Sequence, residues 1–219
     1  MKKFVNAVVY GHADANEILV EDGVFKAIGK NLGTADEIID LGGRLVTPPY
    51  VDPHLHLDYV YTLSELGQEG AGSGTLFEAI ELWPKFKETL TIESVKKLAL
   101  RGIKDEVSHG VQYIRTHIDV TDPKFTALRA MLELREELKD IVEIQIVAFP
   151  QQGMYTYKGG RDLVEEALKM GADVVGGIPH YEPAREFGEQ SVRETVELAL
   201  KYNKLIDVHC DETDDPHSR

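Results

Sequence analysis

Val111-Gln112-Tyr113-Ile114-Arg115-Thr116-His117-Ile118-Asp119-Val120 reads as a β-strand rich in Val and Ile, and side chains two apart on a strand share a face, so Arg115, His117 and Asp119 point the same way. Asp122-Pro123 then reads as a helix start. Asp accepts hydrogen bonds from free amides, Pro needs no donor at the first helical position, and Phe125, Leu128, Met131, Leu132 and Leu138 follow along one stripe. Val142 to Phe149 is a second strand-like run, so residues 111–149 form a strand–helix–strand unit.

The same alternation extends in both directions. Val51 to Leu57, Ala172 to Ile178 and Lys204 to His209 read as further strands. Helices are predicted over Thr75 to Leu90, where Pro84 forces a kink or a second start, and over Thr91 to His109, ended by Gly110. Two more run from Arg161 to Met170 and from Gln190 to Tyr202, stopping at Gly171 and Asn203, which accept the left-handed conformation at a helix end.

Alternating strands and helices imply a parallel sheet, either doubly wound or closed into a barrel. No Gly-x-Gly-x-x-Gly follows a strand, which weakens the doubly wound nucleotide-binding alternative. Polar residues at inward parity (Arg115, His117, Asp119, Gln145, Gln151, Asp207 and His209) suit a barrel with its chemistry at the C-terminal strand ends.

The expected fold is therefore α/β: an incomplete (β/α)8 TIM-type barrel with about five of eight strands, preceded by part of a small β-sandwich domain. Residues 1–47 form that β unit. Its first strand starts at Phe4, Asp22-Gly23 makes a tight hairpin between two β-rich runs, and a third run spans Glu37 to Leu41. Residues 48–219 are expected to be the first five β/α units. An arc of about five strands leaves an unpaired edge, and a whole barrel takes roughly 250 residues, so the chain is expected to be part of a longer protein.

Composition narrows the partners. The 219 residues are 42% hydrophobic and 28% charged, an ordinary globular balance. A net charge of −14 repels nucleic-acid phosphates and anionic membranes, and no run reaches the roughly 20 apolar residues of a membrane span. A small neutral or cationic substrate fits better. Cys210 is the only cysteine, so there is no internal disulfide and no all-cysteine metal site, which points to the cytoplasm.

His54 and His56 flank Leu55 in Pro53-His54-Leu55-His56-Leu57-Asp58, at the end of the first predicted barrel strand, where both can reach one metal ion. The pair by itself suits two alternating histidines equally well. His209 ends the fifth strand with inward parity and can be a third ligand, or else a buried histidine bonded to a carboxylate.

The longer context is more specific. Asp40 to Asp58, Ser73 to Glu78, Arg115 to Val120, Ile146 to Gln151, Ile178-Pro179-His180 and Asp207-Val208-His209-Cys210-Asp211-Glu212 together resemble the amidohydrolase superfamily, in its cytosine deaminase branch. This resemblance covers nearly the whole chain. It implies one divalent metal ion, Fe2+ or Zn2+, on His54, His56 and His209, with a further metal-bound aspartate and a water-activating histidine beyond residue 219. It makes Glu212 the proton shuttle, Gln151 the residue that bonds the ring, and Leu76 a backbone contact to the substrate carbonyl. Asp211, Asp214 and Asp215 crowd Glu212, so a solvated loop acid is the plainer alternative there. The loop from Asp58 to Gly74 is expected to cover the site.

The implied activity is hydrolytic deamination of a nucleobase-like ring, most simply cytosine to uracil and ammonia, by a homo-oligomeric full-length enzyme; the chain alone is expected to be inactive. Gln152 stands where the resemblance calls for an acid, which keeps isoguanine, creatinine-like and aminotriazine rings in play. Binuclear relatives carry a lysine on the fourth strand, absent from Ala172 to His180, and deaminases of the Pro-Cys-x-x-Cys type are excluded by the single cysteine. The non-enzymatic alternative is an inactive metal-binding remnant.

Overall fold

The computed structural model describes residues 1–62 and 76–212. The chain divides into two compact units, Met1–Pro49 and Tyr50–Arg219.

The first unit holds β1 (Lys2–Val5), β2 (Val8–Val9), β3 (Glu17–Glu21), β4 (Val24–Gly29), β5 (Glu37–Asp40) and β6 (Leu45–Val46). One sheet runs β4-β3-β1-β5, antiparallel except for the parallel β1–β5 pair, and β2 pairs with β6. Asp22 and Gly23 have φ of 52° and 76°, the positive pair that a tight hairpin requires. Sequence suggested one strand from Phe4 onward; instead Asn6 turns left-handed at φ 53°, breaking the run into β1 and β2, and its Nδ2 donates to Asp40. Ala7, Val9 and Ile18 form a small core.

The second unit is a curled half-barrel. Its strands are β7 (Tyr50–Leu55), β8 (Val111–Asp119), β9 (Glu143–Phe149), β10 (Val174–Gly177) and β11 (Leu205–Val208), parallel and paired in chain order. The described helices are α1 (Leu76–Lys87), α2 (Ile92–Ser108), α3 (Thr126–Leu138), α4 (Gly160–Met170) and α5 (Arg185–Tyr202). Leu128, Met131 and Leu134 of α3, Val164 of α4 and Ile103 of α2 pack with Ile114, Ile118, Ile144 and Ile146 of the sheet in one buried cluster. Each such side chain contributes about 1.5–3 kcal/mol through burial, which holds helices and strands in register. Gly176 lets β10 approach β9, since a Cβ there would sit 2.7 Å from the Ala148 carbonyl oxygen.

Several features differ from those read in the sequence. Helix α3 begins at Thr126, not at Asp122-Pro123: Phe125 is left-handed at φ 53° and buried, and Asp122 caps from a distance by accepting from the amides of Lys124 and Thr126, both at 2.9 Å. Helix α1 runs through Pro84 as one element. Helix α5 starts at Arg185, five residues before the expected Gln190. Helix α2 follows the reading closely, with Thr91 and Ser94 forming a reciprocal cap. No described helix is long and apolar enough to cross a membrane.

Candidate metal centre

The C-terminal ends of the half-barrel strands gather imidazoles. Strand β7 is irregular, its pairing to β8 shifting between Asp52 and Leu55, and it ends before His56. Asp52 accepts from the His54 amide, and Thr116 Oγ1 of β8 accepts from the Leu57 amide, fixing the segment that carries both histidines. His117 lies on β8 and His209 directly after β11, its amide donating to the Gly177 carbonyl.

Four rings meet there. His56 Nε2 lies 3.2 Å from His209 Nε2, and one ligand nitrogen each of His54, His117 and His209 lies within 4.8 Å of the others. The His54 ring centroid is 5.3 Å from that of His56, 4.4 Å from His117 and 4.7 Å from His209. Phe149 closes one side, its ring centroid 4.2 Å from that of His209.

The nitrogens are also short of partners. Nδ1 of His56, Nδ1 of His209 and both nitrogens of His117 are buried without hydrogen bonds among the described residues. His117 Nε2 lies 3.1 Å from Asp207 Oδ1, but this contact lacks hydrogen-bond alignment. Unsatisfied buried polar atoms cost about 1–3 kcal/mol each, so several at one point mark a place where a ligand completes them. Burial, then the neighbouring imidazoles, holds His56 down to about 2; burial lowers His117 and holds His209 at about 4. All three are therefore neutral near pH 7, with lone pairs available, which is the state a metal requires of imidazole. This donor set fits a divalent ion such as Zn2+ or Fe2+. His117 was visible in the sequence only as an inward polar position; strand ends far apart in the chain bring its nitrogen, in place of that of the expected ligand His56, within 4.8 Å of those of His54 and His209.

Other residues surround the cluster. Glu212 Oε1 lies 2.9 Å from Nε2 of His180, in the short 3-10 turn Pro179–Tyr181 that follows β10. Gln151, 4% exposed, accepts from the Tyr59 hydroxyl at 2.5 Å. Asp119 accepts from Trp83 Nε1 and Lys87 Nζ, and Lys87 also donates to Thr121 and to Gln152 Oε1 at 2.6 Å. Gln152 is thus held by a lysine. Asp58 is buried, which pushes its carboxyl well above the usual carboxylate range, and it accepts from the Asp119 amide. Leu76 is the first residue of α1, its side chain outside the described set; most of the expected covering loop, residues 63–75, also lies outside, as do Asp214 and Asp215.

A family model described as "Amidohydrolase family" matches residues 37–218. The chain belongs to the amidohydrolase family. That family is generally metal-dependent, and its members here are hydrolases acting on carbon–nitrogen bonds. This amidohydrolase is similar to the crystal structure of 5-methylcytosine deaminase from Klebsiella pneumoniae liganded with 5-fluorocytosine, with a TM-score of 0.91 and 46% identity over 99% of this chain and 53% of that one. It is 36% identical over 196 residues to N-isopropylammelide isopropyl amidohydrolase of Pseudomonas sp. (strain ADP), covering 88% of this chain and 47% of that protein. The N-isopropylammelide isopropylaminohydrolase structure from Burkholderia multivorans is similar at TM-score 0.78 and 29% identity, over 95% of this chain and 52% of that one. The amidohydrolase chain thus spans about half the length of these relatives.

Proposed function

We propose that the chain carries the metal-binding and proton-transferring half of a hydrolytic deaminase for an amino-substituted, nucleobase-like ring, cytosine or 5-methylcytosine first among them. The observation that carries this reading is the meeting of unsatisfied, neutral imidazoles from separate strand ends beside Glu212 and Gln151. A single divalent ion held by His54, His56 and His209 would supply Lewis acidity that makes a water nucleophilic near neutral pH. Water then replaces the ring amine: a C–O bond forms, the C–N bond breaks, and ammonia leaves.

The chain's own groups handle binding and protons. Gln151 bonds the ring edge, and the Leu76 backbone meets the ring carbonyl. Glu212 passes a proton from water to the ring nitrogen and then to the departing amine. His180, 2.9 Å from Glu212 Oε1, holds that carboxylate in place. Phe149 and Trp83 limit water around the ring, and the Lys87 network anchors Gln152 beside Gln151. The setting is a cytoplasmic enzyme, homo-oligomeric at the relatives' full length.

The 36% identity to the isopropylammelide enzyme supports a second reading, in which the leaving group is an alkylamine on a triazine. One panel separates the two. Amine release is measured from cytosine, 5-methylcytosine, isoguanine, creatinine and N-isopropylammelide, using the metal-loaded chain and a chimera that joins it to the C-terminal half of the Klebsiella pneumoniae enzyme. Ammonia from a pyrimidine, with the chimera far more active than the chain, is expected; isopropylamine release alone favours the triazine reading. A chimera that holds metal and releases no amine from any ring overturns both.

A further inference from the structure

Tyr59 and Gln151 lie 92 positions apart in the sequence and meet beside the imidazole cluster. The Tyr59 ring is held on two sides: it stacks on His56 at 5.1 Å and 19°, and its centroid is 4.0 Å from that of Trp83. Its amide donates to the His56 carbonyl, so the backbone is fixed as well. The hydroxyl donates to Gln151 Oε1 at 2.5 Å.

The two ends of a glutamine amide are not equivalent. Oε1 only accepts and Nε2 only donates, and the two exchange places by a half-turn. Gln151 is buried and its backbone N–H donates to the Phe149 carbonyl at 3.1 Å. With Oε1 taken by the phenol, Nε2 is the donor end turned away from Tyr59, and no hydrogen bond joins it to another described residue.

We propose that Tyr59 is a positioning residue that favours the Gln151 amide with its donor end toward the ring, so the site selects rings carrying a carbonyl at that edge. This rests on the deaminase reading of the same site. Without the phenol both amide orientations become accessible, and the selection weakens.

Trp83 is the only tryptophan in the chain and touches Tyr59, so its fluorescence reports ligand at this spot. The metal-loaded chain is titrated with cytosine and with 4-aminopyrimidine, the same ring lacking the carbonyl. Wild type is expected to prefer cytosine. Tyr59→Phe should lower that preference roughly three- to tenfold, the size of one neutral hydrogen bond, while leaving 4-aminopyrimidine affinity unchanged. Gln151→Glu, which cannot donate, should lower the preference at least as far as Tyr59→Phe does, leaving only the part that the Leu76 backbone contributes. Equal weakening of both rings in Tyr59→Phe, or a preference it leaves intact, overturns the role of Tyr59 alone. A wild-type chain that shows no preference for cytosine overturns this inference, while the functional reading is decided separately by amine release from the chimera. If Tyr59→Phe does not fold, the Gln151 side-chain amide resonances of the wild type decide: cytosine and not 4-aminopyrimidine must shift them, and equal shifts overturn the proposal.

Discussion

Two polar layers inside the same half-barrel are built on opposite rules. In the lower layer Arg115 Nε donates to Gln145 Oε1 at 2.6 Å, and its Nη1 donates to Asp207 Oδ2 at 2.8 Å, so the guanidinium ties β8, β9 and β11 together. Burial would raise the Asp207 carboxyl, but His117 and Arg115 beside it prevail and hold it below the usual range. Two residues further along β8, His117 begins a layer in which His56, His117 and His209 leave nitrogens without partners. One layer is satisfied from within the chain and supports the sheet. The other is complete only with something bound, and a fold retains such a defect where chemistry is done.

The largest expected effect breaks the upper layer. His56→Ala should weaken Zn2+ binding by more than about 100-fold, beyond the 10–100-fold typical of losing a residue that merely orients a ligand. Competition with a chelating dye measures it. An affinity within a few-fold of wild type would remove His56 from the ligand set.

Acid separates the layers next. His56 and His209 sit at about 2 and about 4 in the folded chain against about 6.5 when unfolded, so below pH 6.5 the unfolded chain binds more protons. In the metal-free chain this contribution is intact above pH 6.5 and is lost as pH falls toward 4 for His209 and toward 2 for His56. Urea midpoints at pH 7 and pH 5 should therefore diverge in wild type and diverge less in His209→Ala, where His56 still titrates between the folded and unfolded chain. Equal acid sensitivity in both proteins would contradict the assigned burial.

Much of this architecture was legible in the sequence because its causes are local. The hairpin depends on Asp22-Gly23 alone, the end of α4 on Gly171 and that of α5 on Asn203, each with the expected positive φ. Parity along single strands also gave the polar inward positions. The start of α3 was not legible, because a buried Phe125 in a left-handed turn overrides the Asp-Pro signal. Nor was the Tyr59–Gln151 contact, the grip of Lys87 on Gln152, or the approach of a His117 nitrogen to those of His54 and His209. These arise between residues tens of positions apart, where neither spacing nor propensity carries information.

The lower layer gives the third test. Arg115→Ala leaves Asp207 and Gln145 without their donor, and breaking one side of a fully buried pair costs about 3–5 kcal/mol. Arg115 retains 30% exposure and Asp207 19%, so solvent recovers part of that, and a loss of about 2 kcal/mol is expected by urea denaturation. Metal affinity should change far less than in His56→Ala. A variant as stable as wild type would mean that the layer is not structural.

His117→Leu has the smallest expected effect, and its sign is the most telling. The side chain is fully buried, lowered by that burial, and contributes two polar atoms without hydrogen bonds, while Asp207 keeps its bond from Arg115. Leucine has similar bulk and no polar atoms to strand, so the metal-free chain should gain up to about 1 kcal/mol, at the low end of what relieving an unsatisfied buried group returns. The same substitution removes a candidate ligand nitrogen, so the stabilisation that added Zn2+ gives wild type should shrink. A paired structural histidine would behave in the opposite way, with leucine destabilising the metal-free protein and leaving the metal response unchanged. Melting temperatures with and without Zn2+ distinguish the two cases, because only a residue kept for binding makes the empty protein firmer and the loaded protein weaker when it is removed.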